Sequence, residues 1–146
     1  STGSYTRTSN TESSAIVTTS SINTKGNPVL LLLVPDGSNN ASLGVTRSSD
    51  SAQGTVLVYR DGTTKVGSVN IEVGPITLTA TASFPDVDQT VNQVIHRVPG
   101  TCIVGFDTGA TAGSHTWELR ARNITNTNSG QLEISNMILV AVEIGG

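Results

Sequence analysis

The residues best able to do chemistry are concentrated in residues 112–122, the stretch AGSHTWELRAR. It holds the only tryptophan, one of two histidines and two of the eight lysine and arginine residues. An exposed Trp117 could stack on a sugar ring, and His115 could act as a general base. The stretch also alternates like a strand, with His115, Trp117, Leu119 and Ala121 on one face. We therefore predict that Trp117 packs in a core or a subunit interface and that His115 is a hydrogen-bonded interior histidine.

The opposite face of this predicted strand carries charges. Glu118 and Arg120 point outward on it. We expect each to pair with a charge on a neighbouring strand, for about a few tenths of a kcal/mol per pair.

Nucleophilic catalysis requires a base within reach of an activated hydroxyl or thiol. Only His96 and His115 could supply that base, and the sequence lacks the G-x-S-x-G elbow that would hold a reactive serine. We predict that the protein has no catalytic residues and is not an enzyme.

Candidates for metal or redox chemistry are few. Asp86 and Asp88, in FPDVDQ, could bind calcium from a loop, but no further acid lies close by, so a solvated turn is favoured. Cys102 is the only cysteine, which excludes an internal disulfide and a thiolate metal site. Its surroundings, TCIVGF, favour a small buried hydrophobic residue. We expect no metal and no cofactor.

The glycine-rich stretches GSNNASLG and TGATAGS are predicted turns, because both lack the lysine and the helix of a phosphate-binding loop. Asn40 and Asn123 each begin an N-glycosylation sequon, Asn-Ala-Ser and Asn-Ile-Thr. These sequons matter only if the protein is secreted by a eukaryote.

Length and composition describe one polar, weakly charged domain. The chain has 146 residues, of which 13% are charged and 3% aromatic, so hydroxyls and amides must cover its surface. A net charge of −3 provides no basic surface for a phosphate backbone, and nucleic acid is excluded as a partner. The longest apolar run, residues 28–35 (PVLLLLVP), is closed by prolines and too short to span a membrane. We interpret it as a buried strand.

Hydrophobic periodicity is two almost everywhere, which predicts an all-β fold. Alternation is clearest in PITLTATAS, where Ile76, Leu78, Ala80 and Ala82 share one face. The other predicted strands are residues 15–22, 29–34, 43–47, 55–60, 64–73, 90–98, 101–106, 114–123 and 131–144. Asp61-Gly62 predicts a two-residue hairpin turn.

The two ends of the chain differ. Residues 137–142 are almost continuously apolar, which predicts a terminal strand that lies centrally and is covered on both faces. Residues 1–14 are polar throughout and are interpreted as an edge strand, an arm over a neighbour or a linker remnant. Residues 15–146 are predicted to form a single β domain.

Two sandwich architectures could produce this series of short alternating strands. An immunoglobulin-type sandwich is marked by two cysteines with a tryptophan between them, whereas this chain has one cysteine and a later tryptophan. A jelly roll fits better, because its last strand can lie in the inner sheet and so match the apolar C-terminus.

Three stretches together resemble a known group of domains: VYRDGT at residues 58–63, GSHTWELRAR at 113–122 and ISNMILVAVEIG at 134–145. They are similar to the C-terminal portion of small jelly-roll heads of the tumour-necrosis-factor and C1q type, found on phage fibre or virion proteins and bacterial collagen-like surface proteins. The resemblance extends loosely over residues 29–144. It implies a compact homotrimer with inner-sheet residues packed around a threefold axis, and it supplies no binding motif.

The resemblance and the hydroxyl-rich composition lead to an expected function. We expect a non-enzymatic structural and attachment module, the trimeric head of a virion or surface fibre, located on the virion or at the cell surface. Its partners would be copies of itself, a virion or fibre protein and a cell-surface glycan or polymer, contacted by loops 35–41, 48–54 and 107–114. No collagen-like stalk precedes the domain in this sequence. A free-standing secreted lectin, a cytokine-like module and a capsid-decorating trimer therefore stay open as alternatives.

Overall fold

The computed structural model describes residues 1–47, 52–73, 94–97, 101–124 and 130–145. These ranges contain strands and no helix, so the predicted all-β class is confirmed for them. No helix in the described ranges is long and apolar enough to span a membrane. The strands are β1 (Ser4–Arg7), β2 (Val17–Thr18), β3 (Ile22–Lys25), β4 (Val29–Pro35), β5 (Ser42–Arg47), β6 (Ala52–Arg60), β7 (Thr64–Val73), β8 (Val94–Arg97), β9 (Cys102–Asp107), β10 (Ala112–His115), β11 (Trp117–Asn123), β12 (Gly130–Ser135) and β13 (Met137–Glu143).

The strands form several antiparallel sheets, an architecture consistent with a β-sandwich. Sheet I has the order β1-β12-β5-β8, sheet II the order β2-β11-β6-β7 and sheet III the order β13-β4-β9. A two-stranded ribbon pairs β10 with β3. Apart from the β6–β7 hairpin, paired strands are distant in sequence, and the pair β1 with β12 connects the two ends of the chain.

One hydrophobic core joins the three sheets. Period-two alternation directs every second side chain inward, and the inward residues of different sheets pack in a single cluster. Its largest fully buried members are Trp117 and Leu119 from sheet II, Leu43, Leu132 and Ile134 from sheet I, and Leu31 and Leu33 from sheet III.

Sheets II and III are in close backbone contact at two glycines. A Cβ atom placed on Gly67 of β7 would lie 2.2 Å from the carbonyl oxygen of Val104 and 2.5 Å from the Cα of Gly105 in β9. No side chain fits in that space, so the backbones of the two strands are in direct contact.

The hairpin between β6 and β7 turns at Asp61-Gly62 as predicted, but its loop has three residues, 61–63, where two were predicted. Both residues have positive φ, 50° and 70°, and the Thr63 N–H donates to the carbonyl of Arg60 at 3.1 Å. Strand pairing resumes between Arg60 and Thr64. An aspartate followed by glycine tolerates this backbone geometry, which explains why the turn could be predicted.

The prediction for the C-terminus was wrong in two respects. The predicted strand 131–144 is two strands in different sheets, because Asn136 takes a positive φ of 53° between β12 and β13. Among the described residues, strand β13 lies at the edge of sheet III instead of at its centre, and Ile138 and Val142 on its outer face are exposed within the single chain. The central strand of this sheet is β4, the apolar run predicted to be a strand.

Other predicted boundaries were also corrected. The predicted strand 15–22 reduces to β2 and the first residue of β3, and Thr116 divides the predicted strand 114–123 into β10 and β11. Of the polar N-terminal segment, Ser4–Arg7 forms an edge strand on sheet I, which is one of the three interpretations of residues 1–14. The predicted strand at residues 75–83 lies outside the described residues.

Candidate functional site

Trp117 is a structural residue at the junction of three strand ends. Its side chain is fully buried, and its indole N–H donates to Oδ2 of Asp107 at 3.0 Å. Arg60 Nη1 donates to both oxygens of the same carboxylate, at 2.8 and 3.0 Å, and the Gly109 N–H donates to Oδ1 at 3.0 Å. Arg60 ends β6, Asp107 ends β9 and Trp117 begins β11. The carboxylate of Asp107 therefore connects the ends of three strands. The structural interpretation of Trp117 is confirmed, and no ring face remains for a sugar.

His115 connects the ribbon to the β6–β7 turn. Its Nδ1 lies 2.7 Å from Oδ2 of Asp61, and the other oxygen of Asp61 accepts from the Thr116 N–H at 3.0 Å. Nε2 lies closer to the carbonyl oxygen of Thr111, at 3.1 Å, than to its hydroxyl, at 3.5 Å. A general base presents a lone pair to a hydroxyl, whereas this nitrogen faces an acceptor. The ring is hydrogen-bonded as predicted, but it is only partly buried and lies outside the core cluster.

The carboxyl group of Asp61 responds to these contacts. Partial burial raises the pKa of Asp61, but the hydrogen bonds from the Thr116 N–H and from His115, together with the attraction of His115 and Arg60, outweigh burial. The pKa therefore lies below its ordinary value of 3.8, and the turn is fixed by an ionised aspartate.

Glu118 and Arg120 pair differently from the prediction. They lie on the outward face of β11 as expected, but Arg120 Nε donates to Oε1 of Glu118 on the same strand, at 2.6 Å, instead of to a charge across the sheet. The Arg120 guanidinium also donates to the Gly62 carbonyl at 2.8 Å and lies 4.3 Å from the centre of the Tyr59 ring. Tyr59 fills the cross-strand position opposite Glu118, so the arginine stacks on an aromatic ring there.

Three of the predicted candidates have side chains outside the described residues. The backbone of His96 lies in β8, but its side chain is outside the described part of the chain, as are Asp86 and Asp88 entirely. Across the described ranges, no three histidine, cysteine, aspartate or glutamate side chains are grouped so that they could hold a metal. Cys102 is half-buried against the core, and burial raises the pKa of its thiol.

The two sequons differ in accessibility. Asn40 is exposed in the loop after β4. Asn123 is fully buried, and its amide donates to the Gly130 carbonyl at 2.5 Å. A glycan could not be attached to Asn123 in this fold.

The three loops predicted to recognise a ligand differ in how much of each the structure describes. Residues 107–114 begin with buried Asp107, continue through the exposed residues Thr108, Gly109 and Thr111, and end in β10. Residues 48–51 lie outside the described residues, and 52–54 belong to β6. Residues 36–41, by contrast, form a largely exposed loop between β4 and β5.

This loop borders a polar cleft on the outer face of sheet I. The cleft has a volume of about 420 Å³ and is lined by residues 39–42, Arg97, Glu133 and Ser135. Glu133 and Ser135 lie on the side of β12 that faces away from the core, since the alternate residues Leu132 and Ile134 are buried. The cleft therefore combines amides, hydroxyls, one carboxylate and one guanidinium.

The outer face of sheet III is apolar. Strand register places Ile103 and Phe106 of β9 beside Leu32 and Leu30 of β4, and β13 adds Ile138, Val140 and Val142 on the other side. Ile103 and Phe106 are 62% and 50% exposed. No charged residue occupies an outward position of these strands. A groove of about 340 Å³ borders this face between β13 and residues 17–22.

Comparison with models of known protein families, with curated proteins and with solved structures found no match to this chain. The polar cleft and the apolar face of sheet III therefore carry the functional argument. The sequence prediction missed Arg97 and Glu133, which lie in different strands that only the sheet brings together. Ile103 and Phe106 were predicted as strand residues, but nothing in TCIVGF shows that both face away from the core.

Proposed function

We propose that the protein is a non-enzymatic attachment module, which assembles into a compact homotrimer and forms the head of a virion or surface fibre that binds a cell-surface glycan or polymer. The observation that carries this proposal is the apolar outer face of sheet III. A head of this kind needs a surface for its own copies and a second surface for its target.

The size of the apolar face favours a protein partner. At roughly 200 Å² for a large apolar residue, the exposed fractions of its side chains amount to several hundred Å². Monomeric soluble proteins rarely leave a continuous apolar patch of that size in water. Its four most exposed side chains alone supply about half of the roughly 800 Å² that each partner contributes to a stable interface.

Further copies of the same chain are the occupants that best fit this face. It lacks charged side chains that would select a partner of opposite charge, and homo-oligomers bury more apolar interfaces than transient complexes do. Closed symmetry would cover the face in every copy, and the resemblance to jelly-roll heads favours three copies.

The contacts of the histidine support a non-enzymatic role. His115 is held by Asp61 and faces a backbone carbonyl, and Trp117 and Asp107 are used in packing. His115 and Trp117 are the residues of 112–122 with the greatest chemical capability, and each has a structural partner.

A paired substitution tests the assembly part of the proposal. Phe106→Asp places a charge in the apolar face of sheet III, and Ser68→Asp places the same charge at an exposed position of sheet II. We expect Phe106→Asp to reduce the native mass to that of one chain while the far-ultraviolet circular dichroism is retained, because a buried unpaired carboxylate is costly. Ser68→Asp should keep the mass of the original protein. Retention of the assembly by folded Phe106→Asp would overturn the proposed interface.

A further inference from the structure

The polar cleft of sheet I places two opposite charges on either side of one strand. Gly44 of β5 is the register partner of Glu133 in β12 and also of Arg97 in β8. Adjacent strands are separated by about 4.8 Å, so the two backbones lie about 10 Å apart. Because Gly44 has no side chain, nothing from β5 stands between the carboxylate and the guanidinium at this position.

The guanidinium of Arg97 is available to a ligand. Arg97 is exposed, and it forms neither a hydrogen bond nor an ion pair with any residue in the described part of the chain. An arginine fork binds a carboxylate through two parallel hydrogen bonds, a geometry that a neutral hydroxyl cannot match.

Glu133 is held in position with one oxygen still able to accept. Its Oε1 accepts hydrogen bonds from the Thr46 hydroxyl at 3.0 Å and from the Gln131 amide at 2.7 Å. These contacts fix the carboxylate on the outer face, and Oε2 remains for donors from outside.

We propose that this cleft binds an acidic saccharide. The sugar carboxylate pairs with Arg97, its ring hydroxyls donate to Glu133, and the exposed amides of Asn39 and Asn40 supply hydrogen bonds at the rim. This assignment rests on the proposed attachment function, for which it names the ligand class and the site.

The dimensions and the lining of the cleft agree with this ligand class. A volume of about 420 Å³ lies in the range of sites that hold small molecules. The lining contains no aromatic residue, so ring stacking does not contribute and selectivity comes from charge and hydrogen bonds. A neutral sugar would satisfy Glu133 but leave Arg97 without its preferred acceptor.

The test is a binding screen with the intact protein at moderate salt. The immobilised probes are short oligomers of glucuronate, galacturonate and sialic acid, with oligomers of glucose and galactose as neutral counterparts. The variants are Arg97→Gln and, as a control that removes an exposed positive charge elsewhere, Lys65→Gln. We expect at least one acidic oligomer to bind in preference to the neutral ones, with an affinity about tenfold or more lower in Arg97→Gln and unchanged in Lys65→Gln.

The outcomes separate this inference from the proposed function. Binding of acidic oligomers that Arg97→Gln leaves unchanged would overturn the assignment of the cleft. Preference for neutral oligomers would overturn the acidic class while the attachment role stands. If no oligomer binds, the inference fails, and the native mass of the same preparation shows whether the assembly fails with it.

Discussion

Sheets I and III each turn one face to the common core and one face away from it, and their outward faces differ in chemistry. On sheet I the outward positions of β12 carry Gln131, Glu133 and Ser135, and the neighbouring strands add hydroxyls and Arg97. On sheet III the outward positions of β4 and β13 carry only leucine, isoleucine and valine. Both sheets follow the same alternation, which decides which positions point outward. It does not decide whether those positions carry polar or apolar side chains.

The difference shows what each sheet contributes beyond the core. A polar outer face is stable in water, whereas exposure of an apolar face to water is unfavourable. Covering that face with another surface lowers the free energy. We therefore assign self-association to sheet III and ligand recognition to sheet I. This assignment requires that sheets I and III are both held firmly against sheet II. Substitutions at the contacts between these sheets test that requirement.

The largest effect is expected at the glycine contact between sheets II and III. Gly67→Ala would place a methyl group against the backbone of β9, so we expect a loss of about 3 kcal/mol or more in the free energy of unfolding. Gly54→Ala, where the added atom would lie 2.8 Å from Leu132 Cδ1 in sheet I, should cost about 1–3 kcal/mol. Denaturant unfolding at fixed protein concentration measures both. Equal losses of unfolding free energy in the two variants would show that sheets I and III pack equally closely against sheet II.

The next effect concerns the carboxylate that anchors the end of β9 beside Phe106. Asp107→Asn keeps the side-chain shape but leaves Arg60 with only the more distant Asp61, at 3.9 Å, as a counter-charge, and we expect a loss of about 3 kcal/mol in the free energy of unfolding. Glu72→Gln, at an exposed position of β7, is the matched control and should leave stability unchanged. A loss in Asp107→Asn no larger than in the control would contradict the anchoring role.

The smallest effect is expected at Asp61, whose pKa is lowered by folding. Such a carboxyl group stabilises the fold while it is ionised, so its contribution is present above the ordinary pKa of 3.8 and disappears as the pH falls through the lowered value. Asp61→Asn should be less stable than the original protein near neutral pH, and the two should converge below pH 3.8. Chemical unfolding as a function of pH measures the difference. A difference that stays constant into acid would show that the charge of Asp61 contributes nothing.

Local patterns predicted the local structure well. The alternation in WELRARN gave the buried face of β11, and Asp61-Gly62 gave the turn, because both depend on neighbouring residues only. The apolar run at β4 was likewise recognisable as a strand.

Properties that depend on distant partners could not be predicted. Arg60 and Asp107 are 47 residues apart, and no pattern near either residue indicates the other. The apolar run of β13 is typical of a central strand, but the same pattern arises in an edge strand whose outer face is apolar. Asn136 ends β12 with a positive φ that asparagine tolerates, and the sequence around it gave no stronger break.

The most direct test of self-assembly through sheet III is the native mass, measured by light scattering on a sizing column in moderate salt and across dilution. We predict a stable species of three times the chain mass of 15.1 kDa. A species that remains at the mass of one chain at every concentration would contradict it.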